Sequence, residues 1–186
     1  RGRLWVVQYN QYPYPKDLKV TSMDQHIRAT FDKMPPPPGK GPRGADKISF
    51  FEDTDGDGVY DKSTDAITGL NITTSVAIGR GHIWVLNPPY LLAYRDSNDD
   101  GLPEGEPTVH LEGFGLEDTH AVANSLRWGP DGWLYGCHGV FTHSLVKDPK
   151  KPNDSGVVMN AAVGRWHPQT RKFEVFGYAF LARKPG

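Results

Sequence analysis

Two short acidic stretches carry residue types and spacings suited to binding a hard cation. Asp53-Thr54-Asp55-Gly56-Asp57-Gly58-Val59-Tyr60-Asp61 reads D-x-D-x-D-G-x-x-D. Oxygen ligands at positions one, three and five, a glycine at six, a main-chain carbonyl at seven and an acid at nine form the pattern of a loop wrapped around Ca²⁺. Asp53, Asp55, Asp57, the carbonyl of Val59 and Asp61 fill those places. Asp96, Asn98, Asp100, Leu102 and Glu104 stand at the same offsets, 43 residues further on. Position twelve holds Thr64 and Pro107 in place of the bidentate glutamate, so neither loop is an EF-hand and modest affinity is expected. The bland alternative is a pair of solvated Asp/Gly turns without metal. In either case the loops belong at strand corners, which suits a structural ion and not a catalytic one.

The other reactive residue types are less informative. Cys137 is the sole cysteine, which rules out an internal disulfide and a thiolate zinc site within the chain. Beside His138 it could suggest a nucleophile, but nothing in its neighbours activates it, and a buried or unreactive thiol is expected. His26, His82, His110, His143 and His167 show no metal-ligand spacing and read as surface or turn residues. Trp5, Trp84, Trp128, Trp133 and Trp166 read as core.

Short strands must position these groups. The chain has 186 residues, with 21 Gly and 16 Pro, which suits many strands joined by turns. A net charge of -1 argues against a nucleic-acid partner. No apolar run of membrane-spanning length exists. Opening on Arg1, without an initiator Met, the chain reads as an internal segment of a longer protein.

Gly2-Arg3-Leu4-Trp5-Val6-Val7 returns as Gly81-His82-Ile83-Trp84-Val85-Leu86 and, more loosely, as Gly132-Trp133-Leu134-Tyr135-Gly136. An insertion from 11 to 45, with a short helix near Met23 to Lys33 and then four consecutive prolines, separates the first copy from the second. Without it the copies recur at roughly 40 to 50 residues, the period of a four-stranded propeller blade. Hairpins are expected across 79–81, 129–132 and 168–171, and a polar loop from Lys147 to Gly156. The expected fold is all-β. It is a partial β-propeller over 1–186, with two to three four-stranded blades.

The stretches RLWVVQYNQYPYP, GHIWVLNPPYLLAYRD and GFGLEDTHAVANSLRWGPDGWLYG resemble the propeller domain of bacterial putative membrane-bound dehydrogenases. Those are similar in turn to the soluble quinoprotein glucose and sorbosone dehydrogenases. The resemblance implies a six-bladed ring and pyrroloquinoline quinone (PQQ) in a central channel with Ca²⁺ beneath it. It also implies a histidine that accepts a proton from a sugar hydroxyl. The matching position is His120, shortly before Gly129-Pro130-Asp131; histidine suits a base because it titrates near neutral pH. Thr119 stands where the relatives carry an aspartate, and Asp118 lies one step back. Residues gripping the quinone carboxylates come from later blades in that family.

The resemblance thus implies an extracytoplasmic dehydrogenase that oxidises a sugar or other alcohol and passes electrons to a cytochrome c. Glu117 and Asp118 would be supporting or solvated acids, and Asn124 would face the channel. Two alternatives stand beside it: a non-catalytic, Ca²⁺-stabilised propeller that binds a glycan or a protein, and a lactonase-type Ca²⁺-dependent hydrolase.

Overall fold

The computed structural model describes residues 2–151 and 153–179. The fold is all-β, and among the described residues there is no helix, so none that could cross a membrane. Three antiparallel sheets form the body. The first orders β1 (Leu4–Gln8), β4 (Asp46–Glu52) and β5 (Lys62–Leu70). The second is the meander β6 (Ser75–Gly79), β7 (His82–Asn87), β8 (Tyr90–Arg95) and β9 (Thr108–Glu112). In the third, β10 (Asn124–Trp128), β11 (Leu134–Cys137), β14 (Ala162–His167) and β15 (Lys172–Tyr178) stand side by side in that order.

Two small hairpins interrupt these sheets. The first, β2 (Val20–Met23) with β3 (Ala29–Phe31), replaces the helix expected near Met23 to Lys33. Asp24 explains the difference. Its carboxylate accepts the N–H groups of His26 and Arg28 and pairs with the Arg28 guanidinium, closing a tight turn where a helix would have continued. That pairing holds the Asp24 carboxyl at about 2. The second hairpin, β12 (Ser144–Val146) with β13 (Val157–Met159), brackets the stretch expected to be a polar loop.

One three-strand unit recurs in the same register. Leu4 faces Phe51, Ile83 faces Tyr94 and Leu134 faces Trp166. Asp53 and Asp96 each stand two residues after the partner in their unit, so both acidic loops leave equivalent strand ends. In the third sheet Pro168 stands at that place. β6 packs against β10 and, less extensively, against β1.

The middle sheet is buried on both faces, which is why 83–86 and 90–94 read as nearly unbroken apolar runs. Side chains alternate across a strand. Accordingly Ile83, Val85, Leu92 and Tyr94 pack toward the first sheet, with Ile48, Ile67 and Leu70. Trp84, Leu86, Leu91 and Ala93 pack toward the third, with Leu126, Leu134 and Trp166. Polar ties cross both junctions. Thr74 Oγ1 donates to the Ala123 carbonyl at 2.6 Å, and Ser75 Oγ accepts Leu126 N–H at 2.8 Å. Buried Asp46 accepts the N–H groups of Asn10, Gln11 and Thr73, each at 2.6 Å, and so fixes where the 9–45 excursion leaves the sheet.

The acidic loops and the excursions occupy opposite sheet edges. Arg95 pairs with His82 at one edge, and Tyr90 pairs with Asn87 and Glu112 at the other. The 9–45 excursion, the 113–123 segment and the β12–β13 hairpin all leave from the second edge. Gly113 lets two of them meet. It sits at φ +90°, and an added Cβ would lie 2.1 Å from the Leu145 carbonyl oxygen.

Candidate functional site

Where the 9–45 excursion meets the 113–123 segment, a cleft of about 330 Å³ opens. Tyr12, Tyr14, Phe31 and His26 give it an aromatic wall, while Glu117, Asp118 and His120 supply its polar side. Main-chain bonds hold the two segments together, with Ala29 N–H donating to the Glu117 carbonyl at 2.6 Å. Tyr9 reaches the Thr119 carbonyl at 3.3 Å; burial, together with the charge of Asp46, pushes its hydroxyl up to about 12.

His120 stands at the mouth, and its ring is oriented from both sides. Asp118 Oδ1 accepts the His120 main-chain N–H at 2.9 Å and lies 3.2 Å from Nδ1. A carboxylate only accepts, so in the neutral ring the proton sits on Nδ1 and Nε2 keeps its lone pair. That lone pair faces the Tyr12 hydroxyl at 2.5 Å, with the two rings edge to face. Asp118, His120 and Tyr12 thus form a continuous chain of hydrogen-bond contacts at the cleft. It is Asp118, one step before Thr119, that contacts the ring, while Thr119 is buried. Tyr12 carries no signal of its own in the sequence. It lies 108 residues from His120, inside the proline-rich insertion.

Glu117 contributes an oxygen, Oε2, that is buried without a hydrogen-bond partner. Asn124 begins β10 and spends its amide on the Val122 carbonyl. Of the expected buried or unreactive thiol, burial does not hold: Cys137 is exposed at the end of β11. Its neighbour His138 is the buried one, bonded through Nε2 to Ser144 Oγ at 2.6 Å. His110, expected at the surface, is instead packed between Trp84 and Trp166.

The acidic loops share one internal bonding pattern. Gly58 N–H donates to Asp53 Oδ2 at 2.8 Å, and Gly101 N–H donates to Asp96 Oδ2 at 3.2 Å. Thr54 donates N–H and Oγ1–H to Asp61 as Ser97 does to Glu104. Val59 N–H donates to Asp57 and Leu102 N–H to Asp100, both at 2.7 Å. Asn98 accepts Asp100 N–H at 3.2 Å, as Asp55 accepts Asp57 N–H. Such donors hold Asp53, Asp61 and Glu104 below their ordinary values, led by Gly58 N–H, the Thr54 hydroxyl and the Ser97 hydroxyl respectively. Carboxylate oxygens of Asp53, Asp55 and Asp57 lie within 4.8 Å of one another. Val59 and Leu102 turn their side chains to solvent.

Fold and site together define an all-β protein with a structural acidic corner on one edge and an imidazole-bearing cleft on the other. The chain belongs to the family described as a domain of unknown function (DUF7133), whose profile matches residues 1–180. Neither a curated protein nor a solved structure matches it.

The donor chemistry of the cleft bears on whether it could hold PQQ. That quinone carries three carboxylates and requires cationic partners. Among the described residues lining the cleft there is no lysine or arginine, and two carboxylates are present. The lining does not fit the quinone.

Proposed function

We propose that the chain is a propeller segment whose cleft binds a sugar or other polyhydroxylated alcohol, with His120 as proton acceptor from a ligand hydroxyl. The observation that carries this is the Asp118–His120–Tyr12 chain at the mouth of an aromatic cleft. Aromatic faces suit the apolar faces of sugar rings, and the two carboxylates suit their hydroxyls. In the neutral ring the Asp118 contact places the proton on Nδ1 and leaves Nε2 facing the Tyr12 hydroxyl, the place a ligand hydroxyl would take. The ring architecture draws support from the recurring three-strand unit and from β1, β6 and β10 lying side by side.

Dehydrogenation of that alcohol, in an extracytoplasmic enzyme feeding a cytochrome c, rests on the resemblance. It needs a quinone held by cationic groups that the cleft lining does not supply. A non-catalytic glycan-binding propeller is the second reading, favoured by the anionic lining. Lactonase chemistry is disfavoured, because the acidic loops lie at the opposite edge from His120.

The test is a panel of sugars and polyols offered to the full-length protein. Binding is measured by calorimetry, and turnover by dye-linked oxidation with and without added PQQ. A general base contributes about 10²- to 10⁴-fold to rate. His120→Ala is therefore expected to lose at least about 10²-fold in kcat while ligand binding weakens far less. Equal turnover by His120→Ala would remove it as the base. Binding with no turnover under any condition would leave the glycan-binding reading.

A further inference from the structure

We propose that the Asp96–Glu104 loop is a Ca²⁺ site that locks the junction between the first and second sheets. The acidic pattern alone would not carry this; a separate observation does. Asp96 is 3% exposed, and its Oδ1 is buried without any hydrogen-bond partner. A carboxylate oxygen in that state loses its hydration with no hydrogen bond in return. Buried polar atoms left without a partner are rare and point to a missing water or ion.

The carboxylate is oriented from within the loop. Gly101 N–H holds Oδ2, so Oδ1, on the same carbon, is the oxygen left over. Asn98, Asp100 and the Leu102 carbonyl stand at the positions that complete an all-oxygen shell. Such a shell, with an amide and a main-chain carbonyl among its members, suits the larger and geometrically tolerant Ca²⁺. Mg²⁺ demands a near-ideal octahedron and retains its waters.

The Asp53 loop lacks this feature. Asp53 accepts Gly56 N–H on Oδ1 and Gly58 N–H on Oδ2, so both of its oxygens are already served. The proposal is confined to the second loop.

Its consequence lies between the sheets. Arg3, at the start of the first sheet, pairs with Glu52, lies over Phe50 and donates Nη1–H to the Asp99 carbonyl at 3.1 Å. Fixing the loop around an ion also fixes that carbonyl, and with it the clasp from Arg3.

The experiment uses the full-length protein, stripped with a chelator and titrated with Ca²⁺ by calorimetry. Amide hydrogen exchange is read in parallel over 96–104. Wild type is expected to show saturable binding and at least tenfold slower exchange at Gly101 and Leu102 when Ca²⁺ is present. Asp96→Asn should abolish both effects. Asp100→Asn, an exposed change that leaves the core untouched, should weaken Ca²⁺ binding at least tenfold. Equimolar Mg²⁺ should not reproduce the protection. The proposal is overturned if wild type shows no Ca²⁺-dependent protection at these amides. It also fails if Asp100→Asn binds as wild type does, or if Mg²⁺ protects equally.

Discussion

Trp84→Ala is expected to destabilise the protein by about 3–5 kcal/mol, the range for truncating a buried aromatic side chain. Trp84 is 2% exposed and belongs to the face of the middle sheet that meets the third. Its ring lies edge-on to Trp128 at 5.8 Å and to His110 at 4.8 Å, and its Nε1–H donates to the Gly79 carbonyl at 3.1 Å. Alanine removes that contact area, opens a cavity at the sheet junction and strands the carbonyl. Domains of ordinary stability hold about 5–15 kcal/mol in total, so the loss is a large share. Urea unfolding monitored by far-UV circular dichroism measures it without relying on tryptophan emission. Trp84→Phe should lose less, because it keeps a ring and gives up the donor. A change under about 1 kcal/mol for Trp84→Ala, the size of an ordinary surface substitution, would contradict this packing.

Stability is also expected to fall as pH drops from about 6.5 toward 4, through His110. Burial, seconded by the positive charges of Arg171 and Lys150, pulls this imidazole down to about 4; His82 adds to the effect and Asp148 opposes it. In the unfolded chain the group titrates near about 6.5. Between those values the unfolded state binds more protons than the folded one. Stability therefore rises with pH across that window and falls on acidification. Below the folded value both states are protonated, and this group costs nothing further. At about 1.4 kcal/mol per unit, the full effect is at most about 3.5 kcal/mol, and partial exposure to solvent reduces it. His138, buried and likewise held low, acts in the same direction. The diagnostic is thus the difference between wild type and His110→Phe. The variant should show a shallower fall between pH 6.5 and 4, and parallel curves would contradict the assignment.

His110 shows why part of the structure was not legible in sequence. In an unbroken strand Val109 and Leu111 would share a face opposite His110. The register shifts there, with Leu91 facing Leu111 and Leu92 facing Val109, so His110 is the extra residue of a bulge. Val109 then packs on the first-sheet side, and Leu111 joins the Trp84 cluster. The recurring Gly-x-Leu/Ile motif, by contrast, located β1, β7 and β11, because a glycine turn opening a run of strand formers is a local signal; β7, buried on both faces, also spells an apolar run. The acidic corners were legible for the same local reason, since Asp and Gly spacing dictates a loop by itself.

Features that depend on distant partners were hidden. Tyr12 meets His120 only because the 9–45 excursion folds back over the sheet edge. The β12–β13 hairpin has strands of three residues, too short for alternation to stand out from a polar loop. The difference between a helix and a hairpin near Met23 turned on a single side chain, Asp24, whose two main-chain acceptor bonds close a turn.

The cleft at His120 is the centre of this account, and a structure of the full-length protein with a bound sugar or polyol tests it most directly. The expected result is a ligand hydroxyl within hydrogen-bond reach of His120 Nε2, in the place of the Tyr12 hydroxyl, with the Asp118 contact to Nδ1 retained. Ligand found elsewhere, with the Tyr12–His120 bond intact, would contradict it.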